Sequence, residues 1–360
     1  MDLPPELTIE DENSFAWQVF HHRHPEMFRR LFDAHPYSPG QRRALDTLLA
    51  ETLDGVIPGV PDGWDDSRVG MPWARMPFLW AESYFYRRLL DAAGYFETGV
   101  DPFAPFKTAE LRDPGLESAF DLPETFDAAL MAALLGNQAD LSFRMVASGG
   151  GETHDQLVAD DSDRLRRLLT ERAPGKVIVV LDNAGRELLS DLVFTDHLLA
   201  ADLAGEVVLH TKPHPYFVSD ATHTDVGDCL RRLREFPGTA GDRLHEAAAT
   251  GRLKIRTHAF HCAPSSFHDM PADLADEFGN AVTIFKGDLN YRRLVGDRAW
   301  DPTTSFQDAV SYLPGPAAAL RILKSEVVVG LTADRVRELD ERDPRWRVGG
   351  NHALIQVSVP

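Results

Sequence analysis

The chain has 360 residues, 43% hydrophobic and 26% charged, enough for one large domain or two ordinary ones with a sizeable core. Its formal net charge of −19 argues against a nucleic-acid partner, which needs a basic face, but is compatible with a small anionic substrate held by a few local cations. No apolar run reaches the ~18 residues of a membrane span, Cys229 and Cys262 are too few for a disulfide framework, and the acidic start MDLPPELTIEDENS has no signal-peptide pattern, so a cytoplasmic protein without membrane partners is expected.

Residues 1–170 read as a helical region without a convincing strand. FLWAESYFYRRLLDAAGYF (78–96) carries apolar residues at helical spacing and closes at Gly94, and DSDRLRRLLTERAPG (161–175) is a capped helix stopped by Pro174 and Gly175. From residue 171 to 360 the texture changes. Continuous apolar runs alternate with helix-length segments at VIVVL (177–181), EVVLH (206–210), RLKIR (252–256), AVTIF (281–285) and EVVVGL (326–331), and HALIQVSV (352–359) adds a last candidate. That alternation predicts an α/β fold with a mainly parallel, doubly wound sheet covered on both faces. The boundary near 170 is soft, because the helices can pack directly on the sheet.

In open α/β sheets, ligands bind beyond the carboxyl ends of the strands. Asp182 and Asn183 follow the first run, with Glu187 one turn later; Ser219 and Asp220 end the segment after the second. Asp288, Asn290 and Arg292 follow the fourth, and Arg321 and Lys324 precede the fifth. Oxygen donors thus gather early and cations late. A hard divalent ion held by Asp182, Asn183 and Asp220, facing a phosphate held by Arg292 and Lys324, would account for this pattern. Such an ion polarises a phosphoryl oxygen and lowers the pKa of a water. A helix opening at Gly185 would aim backbone N–H groups at an anion. An Asp-Asn pair after a strand is also an ordinary turn and helix cap, and spacing alone does not choose between the two readings.

Four ordered motifs resolve the choice by resemblance: LDNAGRELLSDL (181–192), KPHPYFVSD (212–220), FKGDLNYRRLVGDRAW (285–300) and LRILKSEVVVGL (320–331). With WAESYFYRRL (80–89), DPFAPFK (101–107) and GNQADLS (136–142), they resemble the damage-control phosphatase family, in the branch of the acidic-residue methyltransferase and sugar phosphate phosphatase proteins. The resemblance implies a helical N-terminal region, a Rossmann-like α/β/α domain and hydrolysis of small phosphomonoesters, often sugar phosphates such as fructose 1-phosphate, using Mn²⁺, Mg²⁺, Co²⁺ or Ni²⁺. It places the metal and the catalysis on Asp182, Asn183 and Asp220, and substrate or phosphate contacts on Glu187, Asp288, Asn290, Arg292 and Lys324. One departure stands out. Where the branch has Arg-Thr-x-Lys, this chain has Arg321-Ile322-Leu323-Lys324, which keeps both cations and loses a hydroxyl.

Water or Asp182 itself are the alternative attacking groups. A halo-acid-dehalogenase-type phosphatase is rejected, because its second aspartate would fall on Ala184. An S-adenosylmethionine-dependent protein carboxyl (glutamate) methyltransferase is the second class, and a non-enzymatic, metal-dependent binding protein the third. HHRH (21–24) reads as a solvated face rather than a metal site, Cys262 in HCAPSSFHD (261–269) as packed rather than nucleophilic, and SGGGETHD (148–155) as a connection rather than a phosphate loop. Trp80, Tyr84 and Tyr86 are expected in the core, and His214 is given no role.

Overall fold

The computed structural model describes residues 3–113, 116, 123–136 and 156–360. The GNQADLS motif beyond Gly136, and residues 148–155, lie outside them. The first layer is helical: α1 (His24–Ala34), α2 (Pro39–Asp54), α3 (Phe78–Ala93), α4 (Ala104–Leu111) and α5 (Phe126–Leu135). Ser38 opens α2 with a reciprocal capping box to Gln41, and Gly94, in the left-handed conformation, closes α3. The α/β part follows as β1 (Leu157–Asp160), α6 (Ser162–Arg172), β2 (Gly175–Val180), α7 (Arg186–Ala200), β3 (Ala204–Thr211), α8 (His223–Leu233), α9 (Ala240–Ala249), β4 (Leu253–Thr257), α10 (Ala272–Gly279), β5 (Val282–Lys286), α11 (Gly287–Val295), β6 (Ala317–Ile322), α12 (Ala333–Arg342) and β7 (Ala353–Ser358). Among the described residues no helix is long and apolar enough to cross a membrane.

The seven strands form one sheet in the order β1-β7-β6-β5-β2-β3-β4, parallel except for the β6–β7 pair. Strands β2, β3 and β4 step outward, and β5 then returns to the other side of β2, so the direction of winding reverses there. Alternation along β2 fills both faces. Val177 and Val179 join the core under α5 to α9, while Ile178 and Val180 join the one under α10 to α12. A third core, built on Phe20, Phe28, Trp73 and Phe85, binds the N-terminal helices to one another. Trp80, Tyr84 and Tyr86 lie in it, as expected.

Two strand expectations fail, each for a physical reason. Residues 1–170 do contain a strand. β1 pairs in parallel with β7 at the sheet edge, but it has only four residues and shows no period. EVVVGL is not a strand, although Val327, Val328 and Val329 are buried. Side chains take up backbone groups of Val327 and Val329, while Gly330 and Leu331 donate to the loop carbonyls of Thr304 and Pro302: Arg321 donates to the Val327 carbonyl (2.6 Å), Tyr291 Oη accepts from Val329 N (3.2 Å), and Gln356 donates to the Val329 carbonyl (2.7 Å). The strand in that region is the preceding Ala317–Ile322, whose alanines carry little strand propensity.

Arg321 is therefore a structural post. It is fully buried, pairs with Asp288 (2.8 Å), donates to the Ser325 carbonyl (3.1 Å) and hydroxyl (2.9 Å), and stacks 4.3 Å over Tyr291. Removing it strands the Asp288 charge and frees the segment after β6. Arg321→Ala is expected to lower unfolding stability by about 3–5 kcal/mol, read by urea denaturation.

Candidate active site

The site begins with two backbone extensions. Beyond β2 and β3, Asn183 and Asp220 form an antiparallel bridge, with Ala184 N donating to the Ser219 carbonyl and Ala221 N to the Asp182 carbonyl, both at 2.7 Å. Ser219 Oγ also donates to Asn183 Oδ1 (2.6 Å). These bonds set Asn183 opposite Asp220, one residue on from Asp182, at the carboxyl end of the sheet. Gly287, at φ +83°, closes in from β5; a Cβ there would overlap Asp182 Oδ2.

Both carboxylates are buried. Burial, then the neighbouring Glu187 and Asp220 charges, pushes Asp182 well above the usual carboxylate range. Burial raises Asp220 to about 6, with Lys212 and Lys107 opposing. Lys212 Nζ lies 3.4 Å from Asp220 Oδ2, yet that oxygen accepts no hydrogen bond of ordinary geometry. Lys107 reaches the Asp220 carbonyl (3.1 Å) while paired with Asp101 and Asp225. Asn183 Nδ2 bridges Asp182 Oδ2 and Glu187 Oε2, each at 2.9 Å, so in this rotamer the amide offers its nitrogen to the carboxylates and its oxygen to Ser219. Glu187 lies 4.0 Å from Lys286, which is paired with buried Asp191 at 3.0 Å.

A cavity of about 300 Å³ opens above these residues. Asp182, Asn183, Asp220, Asp288, Arg292 and Lys324 all line it. Asp288 accepts from Arg321 Nε (2.8 Å) and Lys324 N (3.0 Å); burial alone would raise its pKa, but Arg321 and Arg292 hold it below the usual range. Arg292 is buried, forked onto Asp297 (2.9 and 2.8 Å) and bonded to Glu82 (2.6 Å), so only its remaining N–H groups face a ligand. Lys324 is half-buried, and its ammonium makes no ion pair or hydrogen bond with the described residues.

Three sequence expectations need correction. Asn290 does not reach the cavity: it is fully buried, and its amide donates to the carbonyls of Leu181 (3.0 Å), Lys286 (2.7 Å) and Val180 (3.4 Å), tying β2 to α11. The N-terminus of α7 does not point at a ligand, because Glu110 from α4 sits against Gly185 and accepts from Arg186 N (3.4 Å). HHRH is not a solvated face throughout, since His24 is buried and lines the cavity. Cys262 is packed, with burial raising its thiol to about 12. Sequence reading missed Lys212, Lys107 and Glu82 as charge partners. All three lie inside the quoted motifs, but a lone lysine or glutamate there carries no sign of its partner.

The donor set fits a divalent ion: two buried carboxylates with raised pKa values, one oxygen of Asp220 lacking a hydrogen-bond donor, and an amide oxygen one rotation away. Among the described residues no cluster of three or more His, Cys, Asp or Glu side chains is placed to hold a metal, so the amide is needed to complete a three-residue set. Because these carboxylates are raised in the fold, their stabilising contribution is present at low pH and is lost as pH rises through about 6 for Asp220. Melting curves of metal-free protein are expected to shift down between about pH 4 and about pH 6, less so in Asp220→Asn. Mn²⁺ is expected to raise the melting temperature of the wild type, and Gly287→Ala, which drives a methyl into Asp182, is expected to abolish that shift.

Comparison with known proteins gives this geometry a lineage. Residues 18–339 match the model of the damage-control phosphatase ARMT1-like domain. Damage-control phosphatase ARMT1 of Danio rerio is 31% identical, covering 99% of this chain and 98% of that protein. The Rattus norvegicus and Homo sapiens proteins of the same name are 32% and 27% identical, with coverage of 99% or more of each chain. The crystal structure of a DUF89 family protein from Pyrococcus horikoshii is 16% identical and shares the fold, with a TM-score of 0.53 over 94% of this chain and 96% of that one. In sequence along most of its length, the chain belongs to the ARMT1-like damage-control phosphatase family.

Proposed function

We propose that the chain hydrolyses small phosphomonoesters, sugar phosphates such as fructose 1-phosphate among them, in the cavity above Asp182 and Asp220. The observation that carries this reading is the pairing of a buried carboxylate couple with an ammonium, Lys324, that makes no ion pair or hydrogen bond with the described residues, on one small cavity. Asp182, Asp220 and, after rotation of its amide, Asn183 would hold a divalent ion such as Mn²⁺, Mg²⁺, Co²⁺ or Ni²⁺. When bound, such an ion polarises a phosphoryl oxygen and makes a water more acidic.

Lys324 and the remaining N–H groups of Arg292 would neutralise the other phosphoryl oxygens as charge moves to the leaving group. Arg292 is held by Asp297 and Glu82 in one orientation, which fixes the direction of that contact. Asp182 Oδ2 is bonded to Asn183 and walled by Gly287, a setting that suits a fixed anionic ligand and favours water as the attacking group over Asp182. For the carboxyl methyltransferase alternative, the turn after β2 would have to admit a cofactor, but the Glu110 carboxylate already lies against Gly185 there.

Phosphate release from sugar phosphates and p-nitrophenyl phosphate tests the reading. Metal-stripped protein should be inactive and regain turnover with Mn²⁺ or Mg²⁺; Asp182→Ala and Asp220→Ala should lose at least about 100-fold in kcat/KM, and Lys324→Ala about 10- to 100-fold. Turnover indifferent to chelator, or to both aspartate substitutions, would count against it.

A further inference from the structure

The roof of the cavity comes from the N-terminal helices, and its chemistry differs from that of the floor. Between the short helix Phe15–Gln18 and α1, residues Val19–Arg23 form a π-helical turn, a local widening that is frequent at functional sites. Val19, Arg23, His24 and Met27 from this stretch all line the cavity that holds Asp182. His24 is 1% exposed, and among the described residues neither of its ring nitrogens has a hydrogen-bond partner. Its plane is set by aromatic packing instead: it stacks on Phe85 (centroids 3.7 Å apart, interplanar angle 1°) and meets Phe20 and Tyr86 edge-on.

An apolar ring would fill this place more cheaply, since a buried polar group left unpaired costs about 1–3 kcal/mol. Burial, reinforced by the Arg23 charge, lowers the ring to about 3, so it stays neutral, with one nitrogen donating and the other accepting. Beside it on the same cavity, Phe217 stacks on Tyr86 at 4.6 Å and takes the left-handed φ of +52°, a conformation that costs a bulky residue energy and recurs at ligand sites. A hydrogen-bonding edge next to an aromatic face matches an alcohol that carries both hydroxyls and a C–H face.

We infer that His24 is a specificity-determining residue, hydrogen-bonding a hydroxyl of the leaving group so that the cavity selects phosphomonoesters of polyhydroxy alcohols. This inference rests on the phosphomonoesterase reading above. It assigns no part to His24 in the chemical step.

The test compares wild type with His24→Phe, which keeps the aromatic packing and removes both unpaired nitrogens, and with His24→Gln, which restores a donor and an acceptor. Fructose 1-phosphate and p-nitrophenyl phosphate serve as substrates in the presence of Mn²⁺. Calorimetry with fructose 1-phosphate and with inorganic phosphate reads the same contact without turnover. The ratio of kcat/KM for the sugar phosphate over the phenyl ester should fall about tenfold in His24→Phe and recover in part in His24→Gln. The affinity ratio for sugar phosphate over inorganic phosphate should fall in parallel, while the melting temperature of His24→Phe stays level or rises. Ratios that do not change, or a uniform loss for both ligands, would overturn the proposal. If the affinity ratio falls in a protein that turns over neither substrate, the subsite stands and the phosphatase reading fails.

Discussion

The molecule is organised around one electrostatic constraint: Asp182 and Asp220 are held on one small cavity, out of water. Two acids in that position repel each other and resist ionisation, and the surrounding architecture can be understood as the means of keeping them there. Backbone hydrogen bonds between the Asp182–Ala184 and Ser219–Ala221 segments fix the spacing. Lys212 supplies partial compensation from below, Lys107 approaches from α4, and Gly287 confines Asp182 from the third side. Burial raises both pKa values, and these supports do not offset it fully. A binding site for a hard cation is energetically the complement of such an arrangement.

Around the pair, the other buried charges are grouped so that each cation serves more than one anion or carbonyl. Lys286 joins Asp191 to the neighbourhood of Glu187, Arg292 joins Asp297 to Glu82, and Arg321 joins Asp288 to the segment after β6. Buried ion pairs are weak sources of net stability, because desolvation cancels much of the attraction. Here they orient the floor of the cavity. Glu82 belongs to α3 and Arg292 to α11, so their contact also docks the N-terminal helices on the sheet domain and closes the roof over the site. The Lys324 ammonium, on the same cavity, makes no ion pair with the described residues.

Much of this was legible before the fold. The apolar runs after residue 175 marked four of the parallel strands, and reading the residue just beyond each run located Asp182, Asp220 and Asp288 on one cavity. Resemblance to a known family then named the chemistry. Legibility failed where a residue's role depends on what it touches. Asn290 and Arg321 look like ligand residues by position, but the first is consumed by three carbonyls and the second by Asp288 and Ser325. EVVVGL has the composition of a strand, yet its hydrogen bonds go to side chains and loop carbonyls rather than to a neighbouring strand.

What the sequence determined by itself was the period of each element, the break of texture near residue 171 and the supply of oxygen donors and cations at strand ends. These are local properties, written in hydrophobic spacing and in residue type. The tertiary structure decided which of those charges cancel and which remain available, that Glu110 rather than a ligand meets the start of α7, and that buried His24 lines the same cavity as Asp182. Those outcomes depend on contacts between residues far apart in the chain, and the energy of a buried polar group is set by its neighbours in space rather than by its neighbours in sequence.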